Sequence, residues 1–435
     1  MRIAIIGAGI SGCLTARLLA TRHDVTLYES GRQAGGHAKT VEVEIDGVAH
    51  PVDVAFMVYN RRTYPNFCRL LHLLKVKSRP SDMSFSVRSL RTGLEYKGGT
   101  LRGMFAQRSN ALRPSFLRML ADIVRFNQAA RQVACDGSLA DELTVGEFLQ
   151  QHRFGYQFVE NYLTPMAAAI WSSSPSEIEA FPAKFLIGFF ANHGLLQLSD
   201  RPQWRTIVGG SRNYVAPLLR GLGDRAWLGN PVSDVVRTAQ GVAVHTDAGC
   251  TEVYDQVVLA THADQTLQLL SKPTPTERSV LSNLLYRTNR AVLHTDRSLM
   301  PGRRDAWASW NYRLVGYGAQ PATVTYDLSR LQGLSTSVPL LLTLNESASI
   351  DVSKVLREFT FAHPAYSVKS IAAQRRWAEV SGVDRVHYCG AYWGFGFHED
   401  GVNSALSVAN HFGIDLEECT AACTKVPSHT DVASR

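Results

Sequence analysis

Arg2-Ile3-Ala4-Ile5-Ile6-Gly7-Ala8-Gly9-Ile10-Ser11-Gly12 opens the chain with a short apolar run and three glycines in the spacing G-x-G-x-x-G, followed by an apolar-periodic stretch to about Arg22. The pattern reads as a buried parallel strand, a tight turn and a helix. In such a unit Gly7 permits the turn, Gly9 lets the backbone approach a pyrophosphate, and Gly12 lets the helix pack on the strand. The helix N-terminus, with Ile10 and Ser11, then faces the phosphates. A second strand, Asp24 to Tyr28, ends in Glu29, 17 residues past the last glycine. Its carboxylate is placed to accept hydrogen bonds from a ribose 2′-OH and to repel the 2′-phosphate of NADP. A glycine turn in an ordinary α/β domain would need neither this helix nor this acid, so the combination points to dinucleotide binding.

Just past Glu29 the chain reads Ser30-Gly31-Arg32-Gln33-Ala34-Gly35-Gly36-His37. Two adjacent glycines let backbone amides come close to a second part of the ligand, and Arg32 can neutralise phosphate. Thr40 to Ile45 then alternates apolar and polar residues, turns at Asp46-Gly47 and returns through Val54. This is a hairpin where a plain NAD-binding unit would continue βαβ.

These features resemble the flavin-dependent amine oxidase and phytoene desaturase superfamily, with its glycine fingerprint, acidic ribose ligand and Arg-x-x-Gly-Gly run. Tyr59 to Phe67, Gly209-Gly210-Ser211-Arg212, Ala306 to Tyr312 and Cys389 to Gly401 narrow the likeness to the bacterial amine-oxidase-like family associated with cyclopropane fatty-acid synthases. The similarity covers residues 1–413. It implies an α/β chain whose Rossmann-type FAD-binding domain, of the glutathione-reductase-like flavoprotein fold, accompanies a discontinuous α+β substrate domain. Residues 1–70, 205–270 and 375–413 are expected in the FAD domain, 71–204 and 271–374 in the substrate domain, and 414–435 in a C-terminal tail.

By the same resemblance, Gly35, Gly36 and His37 join the FAD ligands, the backbone of Val232 holds the adenine, and Thr261 lies near the flavin or pyrophosphate. Arg385 to Cys389 reads as a strand, followed by Gly390 and by a helix from Gly401-Val402 to about Phe412. In similar flavoproteins such a helix aims its N-terminal amides at the flavin pyrimidine, where reduction develops negative charge. Tyr392, Trp393 and His398 are the catalytic candidates of this segment, with His262 at the end of the strand Val257 to Ala260. Packing explains each of them as well as catalysis does. Covalent flavin attachment at Cys389 is not expected, because Cys389 falls on the strand.

The 435 residues, 45% hydrophobic, exceed one ordinary core and suit two domains. Seven scattered cysteines, odd in number, form no C-x-x-C pair, which argues against a disulfide framework or zinc ribbon and fits a reducing cytoplasm. Metal ligands are not expected, and the Ser, P-loop and zinc-helix motifs of other chemistries are missing. No apolar run reaches the roughly 18 residues that span a bilayer. The net charge of +7 is a mild bias toward anionic partners, and nucleic acid is not expected. Arg102, Arg108, Arg113, Arg118, Arg125 and Arg131 alternate with apolar residues, a basic amphipathic pattern suited either to solvent or to an anionic membrane surface. Trp171, Trp204, Trp307 and Trp310 fall in the substrate domain, read first as core, and Leu186 to Leu198 reads as an apolar helix. The functional expectation is oxidation of a lipid acyl chain, as a desaturase or isomerase of an unsaturated phospholipid-bound fatty acid at the inner membrane face. The alternatives are a flavin amine oxidase and an FAD-binding accessory subunit of a lipid methyltransferase.

Overall fold

A computed structural model describes residues 1–197, 199–315, 323–346 and 349–423. Its first layer is a parallel five-stranded sheet assembled from distant parts of the chain. The spatial order is Ala226–Leu228, β2 (Asp24–Glu29), β1 (Arg2–Ile6), Gln256–Leu259 and Val386–Tyr388. Residues Ile3 to Ile5 are fully buried, as strands covered on both faces must be. Helix α1 (Ile10–Leu19) follows the glycine turn and lies against the helix His398–His411. The two ends of the sequence therefore meet over one sheet.

Strands β3 (Thr40–Ile45) and β4 (Val48–Asp53) form the expected hairpin, with Asp46 (φ 51°) and Gly47 (φ 75°) both left-handed, the turn whose twist suits a two-residue loop. A small antiparallel sheet, Val232–Arg237, Val242–Thr246 and Thr251–Tyr254, sits beside the parallel one. The second large layer is a seven-stranded sheet that runs Val355–Ala365, Leu285–His294, Leu341–Leu344, Thr323–Asp327, Trp310–Leu314, Phe85–Ser89 and Glu95–Lys97. Helices between residues 114 and 192 pack on it and share its apolar core.

Asp53 joins the layers. Its buried carboxylate accepts hydrogen bonds from Thr40 Oγ1 (2.6 Å), Ser211 N (2.9 Å) and Ser211 Oγ (2.9 Å). Its own N–H and C=O pair with the amide of Gln332, both at 2.8 Å. Burial pushes the Asp53 carboxyl up, against the pull of those donors. Gly210 in the Gly209-Gly210-Ser211 run makes room, since a Cβ there would lie 2.5 Å from Thr40 Cγ2.

Three sequence boundaries shift. The apolar helix runs Ala183–Asn192, where Leu186 to Leu198 was expected. Pro182 sits at its N-cap and left-handed Gly194 lies just past its end, and both signals outweighed the apolar count; Leu198 lies outside the described residues. The C-terminal helix begins at His398 rather than Gly401, because Glu399 and Asp400 suit a first turn and Asp400 Oδ2 accepts from Phe397 N (2.9 Å). Residues 414–419, placed in a tail by sequence, pack on α1: Ile414, Leu416 and Cys419 are buried, and the buried Arg17 donates to the Cys419 carbonyl (2.9 Å). Residues 424–435 lie outside the described part.

Burial pushes His193, His294, His363 and His387 down to about 4, and His37 and His398 down to about 3. Each binds a proton in the unfolded chain below about 6.5 that the folded chain refuses, so stability is full above that pH and falls as pH drops toward the folded values. The carboxyls of Asp400, raised to about 6 by burial, and of Asp53, Glu399 and Asp327, also raised by burial, have the opposite sign but are outnumbered by these six imidazoles. The melting temperature is therefore expected to fall by more than about 5 °C between pH 7 and pH 5. A flat profile in thermal scans over that range would show these imidazoles to be solvated.

Candidate flavin and substrate site

A cavity of about 700 Å³ runs from the glycine turn at the C-terminal edge of the parallel sheet to the inner face of the seven-stranded sheet. At one end Gly7, Gly9, Ile10 and Ser11 line it with Glu29, Ser30 and Val232. Gly7 adopts φ 104°, and a Cβ there would sit 2.7 Å from the Ala260 carbonyl oxygen. Around Gly9 nothing lies within 4 Å of a Cβ position, so the turn leaves open space where a phosphate would approach. The first-turn amides of α1 carry no side-chain cap. Glu29 is already aimed: one carboxylate oxygen accepts from Ala8 N and the other from Gly31 N, each at 2.7 Å. Gly35, Gly36, His37, Thr261 and Gly390 continue the wall toward the second sheet. This cradle of open backbone, a helix N-terminus and an oriented carboxylate fits the pyrophosphate and ribose of FAD.

Other expected ligands lie elsewhere. Gly12 is off the cavity and acts in packing: its Cβ would fall 1.9 Å from the Gly7 carbonyl oxygen. Arg32 is exposed and outside the lining. Gly401 faces α1, where a Cβ would meet Ile10 Cγ2 at 2.7 Å, its N–H is spent on the Phe397 carbonyl, and Val402 is buried in the core behind it. The earlier helix start explains both corrections, because the first-turn amides without intrahelical partners belong to His398, Glu399 and Asp400.

Among the catalytic candidates, Tyr392, His398 and His262 line the cavity and Trp393 does not. Trp393 packs beside Tyr392 against the core of the small sheet. His398 shares a hydrogen bond with the Tyr214 hydroxyl (3.1 Å) and stacks on Phe67 (4.4 Å), so it is held as a neutral packed ring. Glu399 turns away to accept from Asn66 N and Phe67 N at the start of helix α2 (Pro65–Leu73), so His398, Glu399 and Asp400 diverge. Cys389 is fully buried off the cavity with its thiol pushed up to about 12, which leaves no route to a flavin bond.

Residues the sequence reading missed form most of the second half. Trp171 and Trp310, read first as core, line it with Tyr326, Leu342, Tyr366 and Phe395, whereas Trp204 and Trp307 lie elsewhere. His363 enters from the edge strand Val355–Ala365, and its Nδ1 accepts from Asn289 Nδ2 and Ser172 Oγ, both at 3.1 Å. Asn289 Oδ1 in turn accepts from Asn345, which fixes the amide, so the His363 proton resides on Nε2. The His37 ring lies 5.7 Å from His262 and 5.6 Å from His363. Phe56 (φ 53°) and Ser172 (φ 54°) both hold left-handed backbone on this wall, a strain characteristic of functional sites. No sequence period marks these positions, because they come from separate strands and loops.

Gly9→Ala keeps an accessible backbone conformation (φ −69°) and fits the fold, but its methyl fills the open space. The variant is expected to melt within about 2 °C of wild type while binding FAD at least about tenfold more weakly by flavin absorbance. Gly12→Ala is expected to lose the fold, read by circular dichroism. Equal flavin content in Gly9→Ala and wild type would exclude the phosphate approach at this turn.

The model of the family described as flavin containing amine oxidoreductase matches residues 10–310, more than half of the chain. No curated protein matches it in sequence. Among solved structures it is similar to a redesigned putrescine oxidase (TM-score 0.68, 15% identity, 94% of this chain and 98% of that one). It is also similar to a CLA-producing fatty acid isomerase from P. acnes (0.67, 14%, 94% and 98%) and to cyclohexylamine oxidase from Brevibacterium oxydans (0.67, 15%, 95% and 99%). At these identities the likeness establishes the fold, and the family match with the glycine cradle establishes the cofactor: the chain belongs to the flavin containing amine oxidoreductase family and is an FAD-dependent oxidoreductase.

Proposed function

We propose that this enzyme removes a hydride from an unsaturated lipid acyl chain at the inner membrane face, leaving the chain oxidised as a desaturase or restoring the hydride at another carbon as an isomerase. One observation carries the reading: among the described residues, Glu29, at the ribose end, is the single charged side chain on the cavity wall. The substrate half is built from Met57, Ile170, Trp171, Leu331, Leu342 and Leu344 with neutral aromatic and histidine rings. A diamine would leave an ammonium buried there without a counter-charge, at a cost of several kcal/mol. A hydrocarbon chain would meet no such penalty. That a solved fatty acid isomerase shares the fold supports the reading.

Bound FAD supplies the acceptor for a hydride from a C–H bond. The apolar walls hold the chain and exclude water, which keeps the local dielectric low. Removal of a hydride leaves a proton to be taken from the neighbouring carbon. His363 presents the neutral, Nε2-protonated imidazole of the substrate layer, held below its ordinary value by burial. Its Nδ1 lone pair is engaged by Asn289 and Ser172, so it receives a proton only as those contacts loosen. The Tyr392 phenol, raised by burial, can donate a hydrogen bond but not act as a base at neutral pH.

The family name keeps an amine oxidase as the second reading, since the aromatic faces of Trp171, Tyr366 and Phe395 suit a neutral monoamine. Anaerobic titration of the holoenzyme separates them. Monounsaturated phospholipid is expected to bleach the flavin, and arylalkylamines and polyamines to leave it oxidised. Bleaching by amines alone would give the site to the second reading. Bleaching by neither, with a stable complex to a lipid methyltransferase, would assign an accessory role. Within the lipid reading, Leu342→Asp is expected to slow bleaching at least about tenfold by placing a charge on the wall, with retained flavin as the control.

A further inference from the structure

We infer that the surface spanning residues 101–118 docks on an anionic phospholipid bilayer. This face rests on the lipid reading for its purpose, the supply of substrate, though not for its chemistry. Between Gly98 and Cys135 the chain carries six arginines and one acid, Asp122. Asp122 is buried, paired with Arg125 and accepting from Gly155 N, so no carboxylate of this stretch faces outward. Arg108, Arg113 and Arg118 have no carboxylate partner among the described residues, and Arg102, paired with Asp305, keeps 82% of its side chain exposed. Next to these arginines along the chain stand Leu101 (75% exposed), Leu112 (86%) and Leu117 (45%).

Two of these leucines sit at the ends of short elements, and Leu117 lies in the first turn of the long helix that follows. Leu101 begins a short helix capped by Thr100, and Leu112 ends a 3₁₀ turn just before Pro114 starts the long helix Pro114–Asp136. Beneath them Phe105, Phe116 and Met119 pack into the main core, so the protrusions stand on a fixed base. An excess of positive charge, offset by Asp305 beside Arg102, with projecting aliphatic tips is complementary to acidic headgroups over an acyl layer. A single-stranded nucleic acid would find no aromatic platform, since Phe116 and Phe126 are buried. Among the described residues no helix is long and apolar enough to cross the bilayer, so contact would be with its surface.

The test is flotation of the FAD-loaded full chain with vesicles of phosphatidylcholine alone or with about one-third phosphatidylglycerol. Binding is expected with the anionic vesicles alone and to decline with salt. Each basic residue near such a surface is worth about fivefold in partitioning, so Arg108→Glu with Arg118→Glu is expected to lower binding at least about tenfold. Leu101→Ser with Leu112→Ser is expected to lower it at least about fivefold. Arg278→Glu, an exposed charge reversal on the helix Pro275–Leu281, which shares a core with the parallel-sheet strands Gln256–Leu259 and Val386–Tyr388, is expected to change it less than about twofold. Flavin content and melting temperature, unchanged in every variant, exclude misfolding. Equal binding to neutral and anionic vesicles, wild-type binding by either double variant, or salt-sensitive binding of poly-U in place of vesicles would overturn the docking face. Loss of flotation with detergent-dispersed phospholipid still bleaching the flavin overturns this face alone. Flotation with no bleaching by any lipid overturns the substrate reading alone.

Discussion

A missing side chain at Gly12 lets α1 settle on β1, because the Gly7 carbonyl passes through the space that a Cβ would fill. That contact aims the first-turn amides of α1 over the edge of the parallel sheet and leaves Gly9 open beside them. Glu29 reaches the same edge on β2, and its hydrogen bond from Ala8 N ties the two strand ends together. Close backbone approach thus sets the phosphate end of the cavity before any distinctive side chain is involved. The helix His398–His411 packs against α1 in turn, with Ser11 Oγ donating to the Gly401 carbonyl at 2.9 Å, so the far end of the chain takes its place from the same contact.

The other half of the site is governed by desolvation. Histidine is the side chain most easily charged near neutral pH, yet His37, His262, His363 and His398 are all depressed by burial. A charged wall would hold water and stabilise ions; a wall of neutral rings and aliphatic chains holds neither well. The left-handed backbone at Phe56 and Ser172 is held by neighbours: Phe56 packs against the His37 and His398 rings, and Ser172 Oγ meets His363 Nδ1. Asp53 shows the complementary principle: a buried carboxyl persists at the joint between layers because Thr40 and Ser211 surround it with donors and Gln332 closes its backbone.

Local patterns announced much of this. The glycine fingerprint, the acid after the second strand and the Asp46-Gly47 hairpin all rest on short-range rules of backbone geometry, and each stands where sequence placed it. Misplacements came where two local signals competed. The apolar run continues past Gly194 although the helix stops at Asn192, and Gly401 is small enough to open a helix although the acids at 399 and 400 suit a first turn better. Arg32 and Trp393 fit their motifs by spacing, but spacing does not say which way a side chain points.

The sequence by itself determined the dinucleotide cradle, since strand, turn, helix and carboxylate are built within 29 consecutive residues whose geometry is set by neighbours along the chain. Only the tertiary structure decided the character of the substrate cavity. Trp171, Trp310, Leu342, Phe361, His363 and Phe395 are spread over more than 220 residues and share no periodicity. They become one uncharged wall because the edge and central strands of the seven-stranded sheet face the helix ending at Trp171, and burial there selects which groups can keep a charge.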